Sequence, residues 1–131
     1  MYSQKVLEIF KNPINAGGLQ GANGVAKVAN EKFGDVVRIY LKVNDDKVID
    51  VARFKAMGCV ATIAVCNVLC DLVKGKTLDE ALTVTAEDVV EVTGQLPEEK
   101  IALLPTIFEA FRDAVSDYYK RKEREEEKKN A

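Results

Sequence analysis

Histidine is entirely absent from this chain of 131 residues. Its absence excludes Ser-His-Asp and Cys-His catalysis, histidine metal ligands and proton shuttles that depend on an imidazole. Cysteine is scarce as well, because only three are present and all of them lie between positions 59 and 70. Three clustered cysteines do not form the disulfide framework of a secreted protein, so we expect a reducing, cytoplasmic location.

An excess of positive charge and a long apolar run are also missing. The net charge of −2 provides no basic surface for phosphates, so we expect no nucleic-acid partner. The N-terminus lacks the basic and apolar regions of a signal peptide, and no apolar run approaches the ~20 residues of a membrane helix. We therefore expect no membrane association.

The length and composition are typical of one globular domain. With 47% hydrophobic and 31% charged residues, the chain has enough apolar surface to form a core. We expect residues 1–122 to form this domain. Residues 123–131 are nearly all charged, which predicts a charged tail in which a solvated helix end frays.

The residue pattern predicts one helix, then three strands, then several helices. The first helix is expected over residues 3–11, with Ser3 as its N-cap, and a glycine-rich connection that we interpret as flexible follows it. The strands are predicted at residues 25–29, 36–43 and 48–54. Later helices are expected at 60–74, at the capping boxes of Thr77 and Thr85, and from Pro97 and Pro105.

Alternation within the strands predicts which face of the sheet is buried. In the third strand it places Val48, Asp50, Ala52 and Phe54 on one face. The expected fold is α+β, with a small three-stranded antiparallel sheet and helices packed on one of its faces.

The three cysteines are the chemical candidates that the pattern offers. On a helix, Cys59, Cys66 and Cys70 would fall within a stripe of roughly 40°. Cys59 and Cys66 are nevertheless separated by about 10 Å of helical rise, whereas thiolates that share a zinc ion lie only ~4 Å apart. Cys66 and Cys70 are therefore either ligands that approach each other or small core residues. Cys59 is a candidate reactive or metal-binding thiol, because a helix start favours the thiolate.

Several segments together carry a family resemblance. They read YSQKV at 2–6, NPIN at 12–15, FKAMGC at 54–59, VKGKTLDEA at 73–81 and LPEEK at 96–100. In this order they resemble the iron–sulfur cluster scaffold family of NifU N-terminal domains and IscU-like proteins, over roughly residues 2–122. The resemblance implies the family's fold. It also implies the family's function, which is to receive sulfur from a cysteine desulfurase, bind iron, assemble a [2Fe–2S] cluster and deliver it. No enzymatic turnover is implied.

The resemblance also implies which residues form the site. Asp35 and Cys59 match two of the five ligand positions of the family, and Cys59 is our candidate sulfur acceptor. The other three positions carry Phe33, Ala102 and Leu103, which have no atoms that coordinate iron. The cluster ligands expected from the family are therefore incomplete in this chain.

A further segment matches the family's chaperone-binding motif. Leu96, Pro97 and Lys100 are the residues that match, which implies a DnaK-type chaperone as a partner beside the desulfurase or another assembly protein. The motif departs from the family's pattern where Glu98 and Glu99 replace proline and valine.

The missing ligands allow two interpretations. Either Cys59, Cys66 and Cys70, with Asp35, form a rearranged site, or the standard site has been lost and the three apolar residues pack in its place. The distance argument favours loss. The chain is then a divergent scaffold-like protein with a degenerate site, with two alternatives: a partner-binding module without a cluster, or a persulfide carrier through Cys59. The cofactor is accordingly an iron–sulfur cluster, a single metal ion or none.

Overall fold

In the computed structural model, which describes residues 1–130, one helix precedes three strands and five helices follow. The elements are α1 (Gln4–Lys11), β1 (Gly24–Asn30), β2 (Asp35–Val43), β3 (Ile49–Met57), α2 (Val60–Val73), α3 (Leu78–Ala81), α4 (Ala86–Thr93), α5 (Glu98–Ile101) and α6 (Leu104–Asn130). The strands form one sheet in the order β1-β2-β3, each antiparallel to its neighbour. The predicted α+β class and three-stranded sheet are confirmed.

The sheet has one buried face and one open face. Along β2, Val37, Ile39 and Leu41 are fully buried, while the alternate residues Arg38 and Lys42 are exposed. Helix α2 packs against β3, helix α6 packs against β1 and β2, and α1 packs against α2. The core therefore lies between the helices and a single face of the sheet, as the alternation in β2 predicts.

The third strand departs from simple alternation. Ile49, Ala52 and Phe54 are all buried, although Ile49 and Ala52 are separated by an odd number of positions. The cause is a shift in register at the end of β2, where an additional β3 residue is accommodated as a bulge. The prediction that Val48 and Asp50 share the face of Phe54 is therefore wrong, because Ile49 takes the buried position and Asp50 is exposed.

The predicted helix boundaries are largely confirmed. The Ser3 hydroxyl accepts a hydrogen bond from the Val6 N–H over 3.1 Å, and both capping boxes, at Thr77 and Thr85, are formed. Gly75 follows α2 with a φ of 83°, a left-handed conformation that glycine adopts without strain. These caps depend on near neighbours in the chain, which is why the sequence pattern indicates them.

The glycine-rich connection before β1 is anchored at both ends. The Gly17 N–H donates to the Phe54 carbonyl over 2.8 Å, and the Asn23 N–H donates to the Leu41 carbonyl over 2.9 Å. The segment that we interpret as flexible is therefore hydrogen-bonded to the sheet at both of its ends, and its flexibility stays a prediction.

The last helix is longer than predicted. It begins at Leu104 with Pro105 in its first turn, and it continues to Asn130. Residues 123–130, expected to fray as a tail, extend it as exposed helix, and position 131 lies outside the described residues. Within residues 1–130, no helix has the length and apolar character needed to cross a membrane.

Candidate functional site

Thr62 connects two of the residues predicted as ligands. Its hydroxyl donates to Oδ1 of Asp35 over 3.2 Å, and its Oγ1 lies 3.4 Å from Sγ of Cys59. Asp35 is the first residue of β2, and Cys59 is the N-cap of α2. The fold therefore brings a carboxylate and a thiol together where the sheet meets the start of a helix.

Gly58 leaves the space that the Asp35 carboxylate occupies. A Cβ at position 58 would collide with Oδ1 of Asp35 and would lie 2.9 Å from Oγ1 of Thr62. Asp35 is only 4% exposed, and its Oδ2 has no hydrogen-bond partner within residues 1–130. A buried polar oxygen without a partner costs stability, so this arrangement is typical of a functional site.

Cys59 is half-buried, and its surroundings favour the thiolate. Burial on its own raises the pKa, but hydrogen bonds with the Thr62 side chain and with the backbone amides of Thr62 and Ala61 lower it, and so does the charge of Lys100. Together they hold the pKa of Cys59 below its ordinary value. The amides belong to the first turn of α2, where they have no partner within the helix. Because the thiolate is the nucleophile and the metal ligand, Cys59 is suited to both roles.

Tyr2 is a neighbour of Cys59 that was not predicted from the sequence. Burial raises the pKa of the Tyr2 phenol, the adjacent Cys59 raises it further, and the charge of Lys100 lowers it. A phenol, a thiol and an ammonium group therefore share one small region. No sequence pattern indicates that Tyr2 lies beside Cys59, because the position of Tyr2 depends on how α1 packs against α2.

Cys66 and Cys70 lie in the core, at 0% and 2% exposure. Burial, followed by the charges of Cys70 and Asp35, raises the pKa of Cys66 well above its ordinary value. Burial also raises the pKa of Cys70 far above the ordinary range. Both thiols are therefore protonated at neutral pH. Among the described residues, no three His, Cys, Asp or Glu side chains are grouped closely enough to hold a metal ion.

The three apolar residues at the remaining ligand positions implied by the resemblance differ in their exposure to solvent. Leu103 is 4% exposed and packs in the core, as predicted. Phe33 is 41% exposed and Ala102 is exposed as well, so the prediction that these two pack in place of ligands is wrong. Phe33 lies in the turn between β1 and β2, where Nζ of Lys32 is 5.6 Å from the centroid of its ring. The turn directs this side chain outward, and the sequence pattern contains no signal for that direction.

The segment predicted to bind a partner is only partly accessible. Leu96 is 3% exposed, whereas Pro97 and Lys100 are half-buried at the start of α5 and within it. In this conformation, Pro97 and Lys100 offer surface to a partner and Leu96 packs in the core.

Comparisons with known proteins identify what this chain and its fold are similar to. The family model described as NifU-like N terminal domain matches residues 1–125. An iron–sulfur cluster assembly scaffold protein IscU from Archaeoglobus fulgidus is 40% identical over 121 residues, which cover 92% of this chain and 78% of that protein. IscU from Escherichia coli is 36% identical over 125 residues, covering 93% and 97%. The solved N-terminal structure of a nitrogen-fixing NifU-like protein from Brucella abortus shares the fold, with a TM-score of 0.72, 20% identity and coverage of 90% and 94%.

Proposed function

Since the chain belongs to the family of NifU-like N-terminal domains, we propose that it is an iron–sulfur cluster assembly scaffold whose standard cluster site is degenerate. The relatives from Archaeoglobus fulgidus and Escherichia coli are named as cluster assembly scaffolds. The observation that carries the proposal is the contact of Thr62 with both Asp35 and Cys59, because these are the two ligand positions that the chain retains.

Degeneracy of the site is supported by the donor atoms that the chain offers. Asp35 and Cys59 provide one carboxylate and one thiol, whereas iron–sulfur clusters are ordinarily held by four protein ligands. Phe33 and Ala102 are exposed but carry no donor atom, and Leu103 is buried. A cluster built on this chain would therefore be held weakly and would depend on ligands from elsewhere.

A second candidate function, that of a persulfide carrier, is favoured by the state of Cys59. Its thiol is partly exposed and its pKa is lowered, so it can attack the outer sulfur of a persulfide on a cysteine desulfurase. A new S–S bond then forms at Cys59 and the S–S bond of the donor breaks. The electron pair of the broken bond leaves on the donor thiolate, so the exchange requires no external oxidant. A reducing compartment such as the cytoplasm suits these free thiols.

The partner-binding alternative is supported by the accessible part of the predicted chaperone segment. Pro97 and Lys100 are half-buried, and the charge of Lys100 reaches Cys59. A desulfurase or a DnaK-type chaperone that docks here would cover the thiol. This alternative requires no cluster on the chain itself.

Anaerobic reconstitution tests the scaffold proposal. The purified chain is incubated with iron and sulfide, and bound iron, sulfide and zinc are then measured. We expect less than one cluster per chain, and we expect Cys59→Ser to abolish the bound iron while Cys66→Ser retains it. A stoichiometric cluster that is lost in Cys66→Ser or Cys70→Ser would instead establish a rearranged site.

Sulfur transfer separates the carrier from the binding module. The chain is incubated with a cysteine desulfurase and cysteine, and added sulfur is located by mass spectrometry of the intact protein and its peptides. A single added sulfur on Cys59, absent in Cys59→Ser and retained in Cys70→Ser, supports the carrier. Desulfurase binding without added sulfur supports the binding module.

A further inference from the structure

The open face of the sheet is predominantly positive. Its strand residues are cationic, apolar or aromatic apart from Asp50, the exposed bulge residue at the start of β3, whose carboxylate accepts a hydrogen bond from Asn44. The cations are Lys27, Arg38, Lys42, Arg53 and Lys55. Because the whole chain has a net charge of −2, this face is a local concentration of charge opposite in sign to that of the molecule.

The central cations of this face lie side by side. Lys27 is the direct cross-strand partner of Arg38, and Arg38 is in turn the partner of Lys55. Neighbouring strands lie about 4.8 Å apart, and like charges directly opposite each other destabilise a sheet. Within residues 1–130, none of the cations on this face forms an ion pair, since both ion pairs there are between side chains of α6. Repulsion within this row of cations therefore lowers the stability of the isolated chain.

An apolar depression adjoins this row of cations. It has a volume of about 310 Å³. Its lining residues are Lys27, Val36, Arg38, Lys55, Ala56 and Met57. Met57 is 71% exposed, and Val36 is its cross-strand partner, so one side of the depression is aliphatic and the other is cationic.

The glycine-rich connection keeps the cations accessible. A Cβ at Gly18 would lie 3.3 Å from Cε and 3.5 Å from Nζ of Lys55. With glycine at this position, the connection passes beside Lys55 without a side chain that would cover its ammonium group. Lys55 therefore stays exposed, although the connection is hydrogen-bonded to Phe54 at the outer edge of β3.

We propose that the open face binds an acidic segment of a partner protein. Carboxylates of the partner lie over Lys27, Arg38 and Lys55, where they relieve the repulsion within the row. An adjacent apolar side chain of the partner enters the depression beside Met57. Protein interfaces typically combine an apolar anchor with a complementary charged rim. A nucleic acid matches this face less well, because its phosphates offer nothing apolar for the depression.

Fluorescence anisotropy with a defined probe tests this inference. The probe is a fluorescein-labelled peptide in which leucines alternate with pairs of glutamates. We expect the wild-type chain to bind it, and we expect the triple variant Lys27→Gln, Arg38→Gln, Lys55→Gln to bind about tenfold more weakly. Replacing the leucines of the peptide by serine is expected to weaken binding as well, because the depression then stays empty.

A matched variant controls for net charge. Lys120→Gln, Lys128→Gln and Lys129→Gln together remove the same charge from exposed positions of α6, and we expect this variant to bind as the wild type does. If the triple variant of the sheet fails to fold, Arg38→Gln alone is expected to weaken binding about threefold.

Three results would overturn the inference. The first is that the wild-type chain does not bind the peptide. The second is that the sheet variant and the α6 variant weaken peptide binding equally. The third is that the wild-type chain binds a short DNA duplex more tightly than the peptide at the same ionic strength. The duplex result would assign the face to a nucleic acid instead.

Discussion

The backbone at Gly58 lies directly against the carboxylate of Asp35, with no room for a side chain between them. This contact joins the loop before α2 to the first residue of β2. The fold therefore holds Asp35 beside Cys59 only because position 58 lacks a Cβ.

Substitution of Gly58 by alanine is the most direct test of this packing. We expect Gly58→Ala to lower the free energy of unfolding by about 1–3 kcal/mol, because the new Cβ displaces the Asp35 carboxylate. Urea unfolding measures the change. Gly18→Ala is the matched control, with an expected change within about 0.5 kcal/mol, since its nearest contact is the flexible end of Lys55 and the Tyr40 ring is at ordinary contact distance. A loss in Gly58→Ala that persists in the Asp35→Ala background would contradict the explanation.

The Thr62 hydroxyl is expected to matter for both stability and reactivity. Thr62→Val keeps the shape of the side chain but leaves both oxygens of the buried Asp35 without a donor among residues 1–130, at a cost of about 1–3 kcal/mol. The same change removes a hydrogen bond that lowers the pKa of Cys59, so alkylation at neutral pH is expected to slow. Thr62→Ser is expected to restore both properties. Equal behaviour of the valine and serine variants would mean that the hydroxyl has no role.

The charge of Lys100 is expected to set the pH at which Cys59 becomes reactive. Since Lys100 lowers the pKa of Cys59, Lys100→Gln is expected to move the midpoint of its pH–rate profile with iodoacetamide to higher pH. Added salt is expected to move the wild-type profile in the same direction. Lys120→Gln, an exposed change on α6, serves as the control and is expected to leave the midpoint in place. A midpoint unaffected by Lys100→Gln would show that the ammonium group does not act on the thiol.

The buried thiols predict a loss of stability at alkaline pH. Burial holds the pKa values of Cys66 and Cys70 above those of unfolded thiols, so their contribution is complete below pH ~8.5 and is lost as the pH rises further. Each thiol lowers the free energy of unfolding with a slope that rises through about 0.7 kcal/mol per pH unit near pH 8.5 toward a limit of about 1.4 kcal/mol per pH unit. Urea unfolding from pH 7 to about pH 9.5 measures the slope. Cys66→Ala is expected to reduce this pH slope of the free energy of unfolding. Cys59→Ala, which removes the half-buried thiol, is not expected to reduce the slope.

Local signals make much of the fold predictable. The N-cap at Ser3, the capping box at Thr77 and the alternation of β2 all depend on residues a few positions apart. The bulge that buries Ile49 could not be predicted, because it depends on the register between two strands. The extension of α6 to Asn130 could not be predicted either, since the charged residues there are compatible with both helix and coil.

The candidate site is predictable in part. The resemblance indicates Asp35 and Cys59, and the structure places Thr62 between them. Tyr2 could not be predicted, because only the packing of α1 brings its phenol to Cys59. The outward orientation of Phe33 could not be predicted either, because the turn determines it and side-chain type does not.

Thr62 has one hydroxyl hydrogen but two neighbours that can accept it. With Cys59 as a thiol, the hydrogen lies on the side of Asp35, in the hydrogen bond over 3.2 Å. Once Cys59 is a thiolate, a hydrogen bond from the same hydroxyl to sulfur removes the one donor that the carboxylate has within residues 1–130. Ionisation of the sulfur thereby leaves both carboxylate oxygens of Asp35 without a donor among residues 1–130. The ionisation of Cys59 and the hydrogen bonding of Asp35 are thus coupled through a single hydrogen atom.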